Sequence, residues 1–267
     1  MHRTILLAAN CTQRVLLKKG FAVAETFGSK RVALITGANQ GIGFEIARQL
    51  GKQGIVVIAS ARNKQKGLAA AEALQREGFQ AHSLVLDVTV QSTIDAAASE
   101  VDRQFGKLDI LMNNAGIVTE RTLPSESRME NFRQTFETNL FGLVAVTQAF
   151  LPLLRKASEG RIVNISSGLG SLTSVSDPQQ TRFDNSYLAY GASKAAVNSV
   201  TISFARELRN TAIKVNAAAP GYTATAINNF AGPQPVDQGA IAAVRLATLP
   251  ADGPTGGFFD KNGPVPW

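Results

Sequence analysis

The stretch RVALITGANQGIG, residues 31–43, decides the fold of this chain. It opens on an apolar run over 31–36 that stops at Gly37, which is typical of a strand buried on both faces. Apolar residues then recur at helical spacing over 41–53, at Ile42, Ile46, Ala47 and Leu50. We therefore predict a buried strand, a glycine-rich turn and an amphipathic helix in immediate succession.

The remainder of the chain repeats this alternation of short β-rich runs with longer helical ones. Further strands are predicted over 55–59, 81–86, 109–112, 161–166 and 213–218. Further helices are predicted over 64–77, 92–105, 129–154 and 190–208. Strands that alternate with such helices form right-handed βαβ units, so we predict an α/β fold, a doubly wound parallel sheet of Rossmann type in a single domain over 30–267. Clusters of Gly, Pro and Asn at 228–235 and 253–267 predict loops.

The composition narrows the classes of function. Hydrophobic residues make up 45% of the 267 residues and charged residues 18%, which is ordinary for a globular protein. The lone cysteine, Cys11, excludes an intramolecular disulfide, and with only two histidines no metal site is predicted. No uninterrupted apolar run approaches the roughly 20 residues of a membrane span, so no membrane partner is expected.

The formal net charge of +7 is the one unusual feature, since a basic balance invites a nucleic-acid interpretation. Residues 1–30 carry four of those seven charges, and the body of the chain has no run of Lys or Arg longer than two. We therefore expect no nucleic-acid partner. Residues 1–29 are predicted to be a poorly ordered N-terminal extension of a cytoplasmic protein. An organelle-targeting presequence and a membrane or nucleic-acid arm are the alternatives.

The glycine-rich turn has the context of a dinucleotide site, because it ends a strand and opens a helix. Glycines in such a turn permit the tight bend, the approach of the backbone to a pyrophosphate, and close packing of the helix on the strand. Free N–H groups and the positive dipole of the helix N-terminus then face the phosphates. The predicted contacts are Gly37, Asn39, Gln40, Gly41, Ile42 and Gly43. A tight turn without a ligand is the alternative.

The end of the second strand should face the adenosine ribose. An NAD site places a carboxylate there for the 2′-hydroxyl, but residues 59–63 read ASARN and contain none. Arg62 can pair with a 2′-phosphate, so NADP(H) is the predicted cofactor, and a solvated surface cation is the alternative for Arg62. Asp87 is predicted to accept a hydrogen bond from the adenine amino group, with Val88 covering the ring, although Asp87 could instead cap the next helix.

Five further motifs follow in order, NNAG at 113–116, Asn139, SSGLG at 166–170, YGASK at 190–194 and PGYTAT at 220–225. Together with the glycine turn they resemble the short-chain dehydrogenase/reductase family over about residues 31–260. The resemblance implies a nicotinamide cofactor and a catalytic set of Ser167, Tyr190, Lys194 and Asn139. It also implies cofactor contacts at Asn114, Ala115, Gly116, Tyr190, Lys194, Pro220, Gly221, Thr223 and Thr225. The ending at 257–267, with ASAR at 59–62, looks most like the carbonyl-reductase-like branch.

Tyr190 and Lys194 are four residues apart on a predicted helix, so they share a face. An ammonium about 4 Å from the phenol would lower its pKa by about three units, towards neutrality, where acid–base catalysis is efficient. Tyr190 would then protonate a carbonyl oxygen that Ser167 holds by a hydrogen bond. By the family resemblance, Asn139 would hold a water molecule that connects Lys194 to solvent.

Two neighbouring residues compete for these roles. Ser166 does not begin the Ser-x-x-Gly pattern of the family, which here runs from Ser167 to Gly170. Tyr187 is followed four residues later by Gly191 where the pattern needs a lysine.

The chain departs from the short form of the family in one spacing, because Ser167 and Tyr190 are 23 residues apart. The inserted residues 171–186 are predicted to project as a loop beside the substrate cleft. The longer carbonyl-reductase forms have an insertion here that obstructs helix-mediated dimerisation, so a homo-oligomer is left open. Apolar walls for a substrate are predicted at Phe183, Tyr187, Tyr222 and Phe230, with ordinary packing as the alternative for each.

The leading hypothesis is an NADPH-dependent reductase of small ketones, aldehydes or quinones. Reduction of a carrier-bound 3-ketoacyl group and oxidation of a secondary alcohol or steroid are the enzymatic alternatives. The alternative outside catalysis is a regulator that senses NADPH, although a sensor would not need the complete proton-transfer set.

Overall fold

The computed structural model describes residues 30–179 and 187–267, and residues 1–29, predicted to be an extension, lie outside that part of the chain. Eight strands lie within the described residues: β1 Val32–Ile35, β2 Val56–Ala61, β3 Ala81–Val85, β4 Ile110–Asn113, β5 Arg161–Ile165, β6 Lys214–Ala218, β7 Phe258–Asp260 and β8 Gly263–Pro264. The α-helices there are α1 Gly41–Lys52, α2 Lys64–Arg76, α3 Gln91–Phe105, α4 Met129–Phe136, α5 Gly142–Leu154, α6 Leu172–Ser176, α7 Leu188–Glu207 and α8 Val236–Ala247.

The strands form one sheet in the order β3-β2-β1-β4-β5-β6-β7-β8. Every neighbouring pair is parallel except the last, in which β8 runs antiparallel to β7. The strand order reverses between β1 and β4, and ligands of doubly wound sheets bind at the carboxyl ends of the strands beside such a reversal. The predicted doubly wound parallel sheet is confirmed.

The apolar sequence of β1 is explained by helices on both faces of the sheet. Ala33 and Ile35 face a core shared with α1 and α8, whereas Val32 and Leu34 face a second core shared with α3, α5 and α7. All four residues of the strand are fully buried. A strand in this position has no solvent side, so its sequence does not alternate between apolar and polar residues.

The helix predicted over 129–154 is present but changes its winding in the middle. Five residues, Glu137–Phe141, form a π-helical turn between α4 and α5, with buried Asn139 at its centre. A single π turn inside an α-helix is uncommon and frequently marks a functional site. By length and composition the whole stretch Met129–Leu154 could also cross a membrane, as core helices of other proteins can.

Four elements differ from the sequence-based prediction. Helix α8 was not predicted, although Ala240, Ala243, Val244 and Ala247 follow helical spacing and are buried, so the signal was present. Strands β7 and β8 lie in the predicted loop 253–267, because strands of three and two residues are too short to show a period. The insertion begins with the short helix α6 instead of a loop, and residues 180–186 lie outside the described residues.

Candidate active site

The turn between β1 and α1 has a backbone conformation that requires glycine. Gly37 and Gly41 have φ angles of +64° and +58°, in the left-handed region that strains any residue with a Cβ. A Cβ on Gly43 would lie 2.7 Å from the carbonyl oxygen of Gly37. The turn can therefore keep this shape only with glycine at these three positions.

The recess at this turn carries unsatisfied donors. Gln40, which precedes α1, makes no side-chain capping hydrogen bond, so the first amides of the helix, those of Gly41, Ile42 and Gly43, are left without a capping partner. The buried hydroxyl of Thr225 has no hydrogen-bond partner within the described part of the chain. A methyl carbon of Thr225 would be 3.5 Å from a Cβ built on Gly41. Free amides at a helix N-terminus beside an orphaned hydroxyl fit a pyrophosphate.

Thr36 joins the end of β1 to the end of β4, and sequence reasoning missed it. Its hydroxyl accepts hydrogen bonds from the backbone N–H groups of Asn114 and Ala115, each at 2.9 Å. The side-chain amide of Asn114 donates back to the carbonyl oxygen of Thr36 at 2.8 Å. Asn114 and Ala115, both predicted to contact the cofactor, therefore hold the glycine turn in place in this structure.

Two cations lie between the end of β2 and the first turn of α2. Arg62 is exposed directly after β2, and Lys66 lines a cavity of about 420 Å³ together with Asn39 and Gln40 of the glycine turn. Asn63 fixes the start of α2 by accepting a hydrogen bond from the Lys66 backbone N–H at 3.0 Å. Lys66 was not predicted, because nothing in the sequence alone places the first turn of α2 beside the glycine turn.

Asp87 and Val88 follow β3, near the same end of the sheet. One carboxylate oxygen of Asp87 accepts hydrogen bonds from the N–H and the hydroxyl of Thr89, at 3.0 and 2.7 Å. The residue that precedes α3 is Val90, so the alternative that Asp87 caps this helix is wrong. Val88 is buried and packs against Gly142 of α5, which leaves little of its surface for an adenine ring.

Ser167, which follows the carboxyl end of β5, lies close to Tyr190 and Lys194, which belong to the first turns of α7. The Ser167 side chain is close enough to the Tyr190 hydroxyl to lower the pKa of that hydroxyl. The Lys194 ammonium lies 5.6 Å from the centroid of the Tyr190 ring and donates to the carbonyl oxygen of Ile165 at 2.7 Å. The hydroxyl of the competing Ser166 instead points into α7, where it donates to the carbonyl oxygen of Lys194 at 3.2 Å.

Asn139 connects the π turn to the residues around Tyr190 and Lys194. Its carboxamide accepts from the Ile117 N–H at 2.8 Å and donates to the Ile117 carbonyl oxygen at 3.0 Å and to the Ser193 hydroxyl at 3.1 Å. The Ser193 hydroxyl in turn donates to the carbonyl oxygen of Tyr190 at 2.7 Å. A Cβ on Gly116 would be 3.4 Å from Asn139 Oδ1 and 3.6 Å from Lys194 Nζ, so both groups border the same small space.

Burial shifts the pKa values of both Tyr190 and Lys194, and the shift of Tyr190 is opposite to the one expected from the sequence. Burial raises the pKa of Tyr190 to about 12, against a smaller lowering by the hydrogen bond with Ser167. Burial also lowers the pKa of Lys194 to about 8. The expected lowering of the Tyr190 pKa is therefore wrong for the protein without cofactor, because removal of the phenolate from water outweighs the nearby ammonium.

The lowered pKa of Lys194 predicts a pH-dependent stability. In the unfolded chain Lys194 keeps its proton up to pH 10.5, whereas in the folded chain it loses the proton near pH 8. The unfolded state therefore binds more protons between these values. As the pH rises from 8 to 10.5, the free energy of unfolding of wild type should increase relative to that of Lys194→Met by up to roughly 3 kcal/mol. Above pH 10 the raised pKa of Tyr190 lowers the free energy of unfolding of both proteins. Urea unfolding at several pH values measures the difference, and parallel curves would contradict it.

The loop after β6 covers the glycine turn. Gln234 fixes this loop by donating to the carbonyl oxygen of Pro220 at 2.6 Å and to the Thr223 hydroxyl at 3.0 Å. Thr223 also donates within the loop, to the carbonyl oxygens of Pro220 and Gly221, so its hydroxyl is already engaged. Gly221 has a φ of +79°, which a residue with a Cβ would resist.

A cleft of about 560 Å³ joins this loop to the glycine turn and to the residues after β4; its lining includes Gln40, Gly116, Ile117, Ala226 and Ile227. Large apolar side chains at the same end of the sheet are exposed: Leu172, Val175, Leu188, Tyr222, Ile227 and Phe230. Of the predicted walls, Tyr222 and Phe230 are 54% and 70% exposed. Tyr187 is partly buried under the guanidinium of Arg121, and Phe183 lies outside the described residues.

A family model described as short chain dehydrogenase matches residues 31–235. The chain is 36% identical over 287 residues to a (+)-neomenthol dehydrogenase of Arabidopsis thaliana, which covers 87% of this chain and 96% of that protein.

Solved structures are similar over most of their length. A gluconate 5-dehydrogenase of Burkholderia cenocepacia in complex with NADP and tartrate is 30% identical with a TM-score of 0.76, covering 87% of this chain and 94% of the other. A 3-ketoacyl-(acyl-carrier-protein) reductase of Brucella melitensis complexed with NADH is 29% identical with a TM-score of 0.76. The match covers 86% of this chain and 97% of the reductase. Similar proteins have thus been solved with NADP and with NADH.

Proposed function

The chain belongs to the short-chain dehydrogenase/reductase family, and from this premise we propose that it is an NADPH-dependent carbonyl reductase of the carbonyl-reductase-like branch. The family makes it an oxidoreductase that uses a nicotinamide cofactor and acts on a small molecule. The observation that carries the proposal is the meeting of Ser167, Tyr190 and Lys194 beside the glycine turn. Its substrates would be small ketones, aldehydes or quinones.

The residues fit an NADPH molecule along the carboxyl edge of the sheet. The amides of Gly41, Ile42 and Gly43 and the orphaned hydroxyl of Thr225 would hold the pyrophosphate. Arg62 and Lys66 would pair with the 2′-phosphate, since no carboxylate follows β2 to repel it. Bound NADPH would supply the hydride for the carbonyl carbon.

Ser167 and Tyr190 would act on the carbonyl oxygen. The Ser167 hydroxyl would donate a hydrogen bond to the oxygen as negative charge develops there. Tyr190, which is protonated at neutral pH, would transfer the phenolic proton to the same oxygen. The ammonium of Lys194 would stabilise the resulting phenolate, because a positive charge nearby favours the ionised form.

Asn139 would act mainly by holding its neighbours. Both of its amide protons and one acceptor site are used by Ile117 and Ser193, so its side chain ties the end of β4 to the first turns of α7. One acceptor site of Oδ1 is left near Lys194 Nζ, and a water molecule there would supply, through Lys194, the proton that restores the Tyr190 hydroxyl after each turnover. Ser193 would serve as the link between Asn139 and Tyr190.

The exposed side chains around the cleft favour an apolar substrate. Leu172 and Val175 on α6 and Tyr222 and Phe230 after β6 present apolar surface without a covering partner among the described residues. An apolar rim around a few polar groups is the usual composition of a small-molecule site. The similarity to a neomenthol dehydrogenase supports the same substrate class and makes oxidation of a secondary alcohol the second candidate.

The test is cofactor consumption with a panel of carbonyl compounds. NADPH oxidation would be measured with apolar cyclic ketones, quinones and 3-ketoacyl thioesters, and NADH would be run in parallel. We expect the highest kcat/KM with NADPH and an apolar ketone or quinone. Tight NADPH binding without turnover of any compound would instead support the regulator, and preference for the thioester would support the 3-ketoacyl reductase.

A further inference from the structure

The last residues of the sequence fold back onto the edge of the sheet. The Val265 N–H donates to the carbonyl oxygen of Phe258 at 2.8 Å, which continues the pairing of β7 and β8. The Trp267 ring stacks on the Phe258 ring, with centroids 5.6 Å apart and planes inclined by 17°. Phe258 belongs to a small buried cluster with Ala217 and Ala219, so Trp267 is anchored to the end of β6.

From this anchor, two carbonyl groups hold the segment that follows β5. The Ser171 hydroxyl donates to the carbonyl oxygen of Pro266 at 2.7 Å. The Thr173 backbone N–H donates to the carbonyl oxygen of Trp267 at 2.8 Å. Ser171 is fully buried, so its bond is shielded from competing water.

The segment held in this way contains Ser167. Its opposite side packs on α7, where Asn198 donates to the carbonyl oxygen of Gly170 at 3.0 Å. The packing is close, since a Cβ on Gly170 would be 2.7 Å from the carbonyl carbon of Lys194. Residues 167–171 are therefore fixed between α7, which carries Tyr190 and Lys194, and residues 266–267.

We propose that Trp267 is a positioning residue that sets the Ser167 hydroxyl against Tyr190 and holds α6 at the rim of the cleft. The inference rests on the proposed function, in which Ser167 donates to the carbonyl oxygen. The Trp267 ring supplies the anchor, and the carbonyl groups of Pro266 and Trp267 transmit it to Ser171 and Thr173. Without the ring, the main-chain oxygens of Pro266 and Trp267 remain but lose their fixed place on the sheet.

The experiment compares Trp267→Ala with Trp267→Phe, which keeps an aromatic ring over Phe258. We expect Trp267→Ala to lower kcat about tenfold to a hundredfold, because a displacement of about 1 Å in a reacting constellation costs this much. The Kd for NADPH should stay within about twofold, since the glycine turn is distant from residues 265–267 in the sheet order. The isotope effect with NADPH deuterated at the transferred position should rise, and Trp267→Phe should recover most of kcat.

A purely structural role for Trp267 has a different signature. Gln75→Ala, which removes a hydrogen bond from α2 to the Ala81 carbonyl oxygen of the far edge strand β3, serves as a control that perturbs the sheet away from the site. Comparable kcat values in Trp267→Ala, Gln75→Ala and wild type, measured below their unfolding temperatures, would overturn the proposal. So would a Trp267→Phe enzyme as slow as Trp267→Ala.

A second measurement does not depend on catalysis. Trp267 is the only tryptophan of the chain, so intrinsic fluorescence reports on this anchor alone. Ser171→Ala, which removes the donor to Pro266, should red-shift the Trp267 emission and lower its anisotropy. An unchanged emission would show that Ser171 and the anchor are not coupled and would overturn the proposal. If wild type reduces no carbonyl compound while the emission shift is seen, the proposed function fails and the coupling stands.

Discussion

Replacing Tyr190 by phenylalanine is expected to lower kcat for ketone reduction about a thousandfold, within the range observed for general acid–base groups. The substitution removes one hydroxyl, and with it the proton donor and the partner of Ser167. The ring, its packing and the position of Lys194 beside it are retained. The Kd for NADPH should therefore change only a few-fold, which binding measured by NADPH fluorescence would establish.

Tyr187→Phe is the matched control, because it removes the hydroxyl of the competing tyrosine one turn earlier. Tyr187 has Arg121 over its ring at 5.5 Å and pairs by its backbone with Thr122, and both contacts survive the loss of the hydroxyl. We expect Tyr187→Phe to retain kcat within about threefold. Near-normal reduction by Tyr190→Phe, or a large loss in Tyr187→Phe alone, would contradict the mechanism.

The sheet could be predicted because its information is local. The apolar run of β1, the positive-φ glycines at Gly37 and Gly41 and the helical spacing of α1 all fall within about twenty residues. The same local patterns mark the strands as far as β6. Strand β7 has no such pattern, because its pairing with Ala217 and Ala218 is decided by a partner 41 residues away.

The site could be predicted only in part, because the motifs name residues but not their surroundings. Ser193 lies inside the predicted YGASK motif, yet its bond to Asn139 follows from the π turn, which the sequence analysis did not predict. The direction of the Tyr190 pKa was wrong for a related reason. The charge of Lys194 is evident from the sequence, whereas the desolvation that outweighs it arises from tertiary packing.

Replacing Arg62 by aspartate is expected to reverse the preference between NADPH and NADH. A charge-assisted hydrogen bond contributes about 1.5–3 kcal/mol, which is about tenfold to a hundredfold in affinity, and the introduced carboxylate repels the 2′-phosphate in addition. The kcat/KM for NADPH should thus fall by about a hundredfold or more, while that for NADH should rise because aspartate can accept from the 2′-hydroxyl. Lys66→Ala should lower kcat/KM for NADPH about tenfold and leave NADH unchanged.

Arg76→Asp is the matched control, since it makes the same change of charge on an exposed arginine at the other end of α2. A general effect of net charge on a polyanionic cofactor would act in both variants and would weaken with salt over a Debye length of about 10 Å at 0.1 M. A direct pairing at Arg62 acts only on the cofactor with the 2′-phosphate and only in the first variant. If Arg62→Asp lowers kcat/KM equally for NADPH and NADH, Arg62 is a solvated surface cation. Arg62 would then give no reason to assign NADPH as the cofactor.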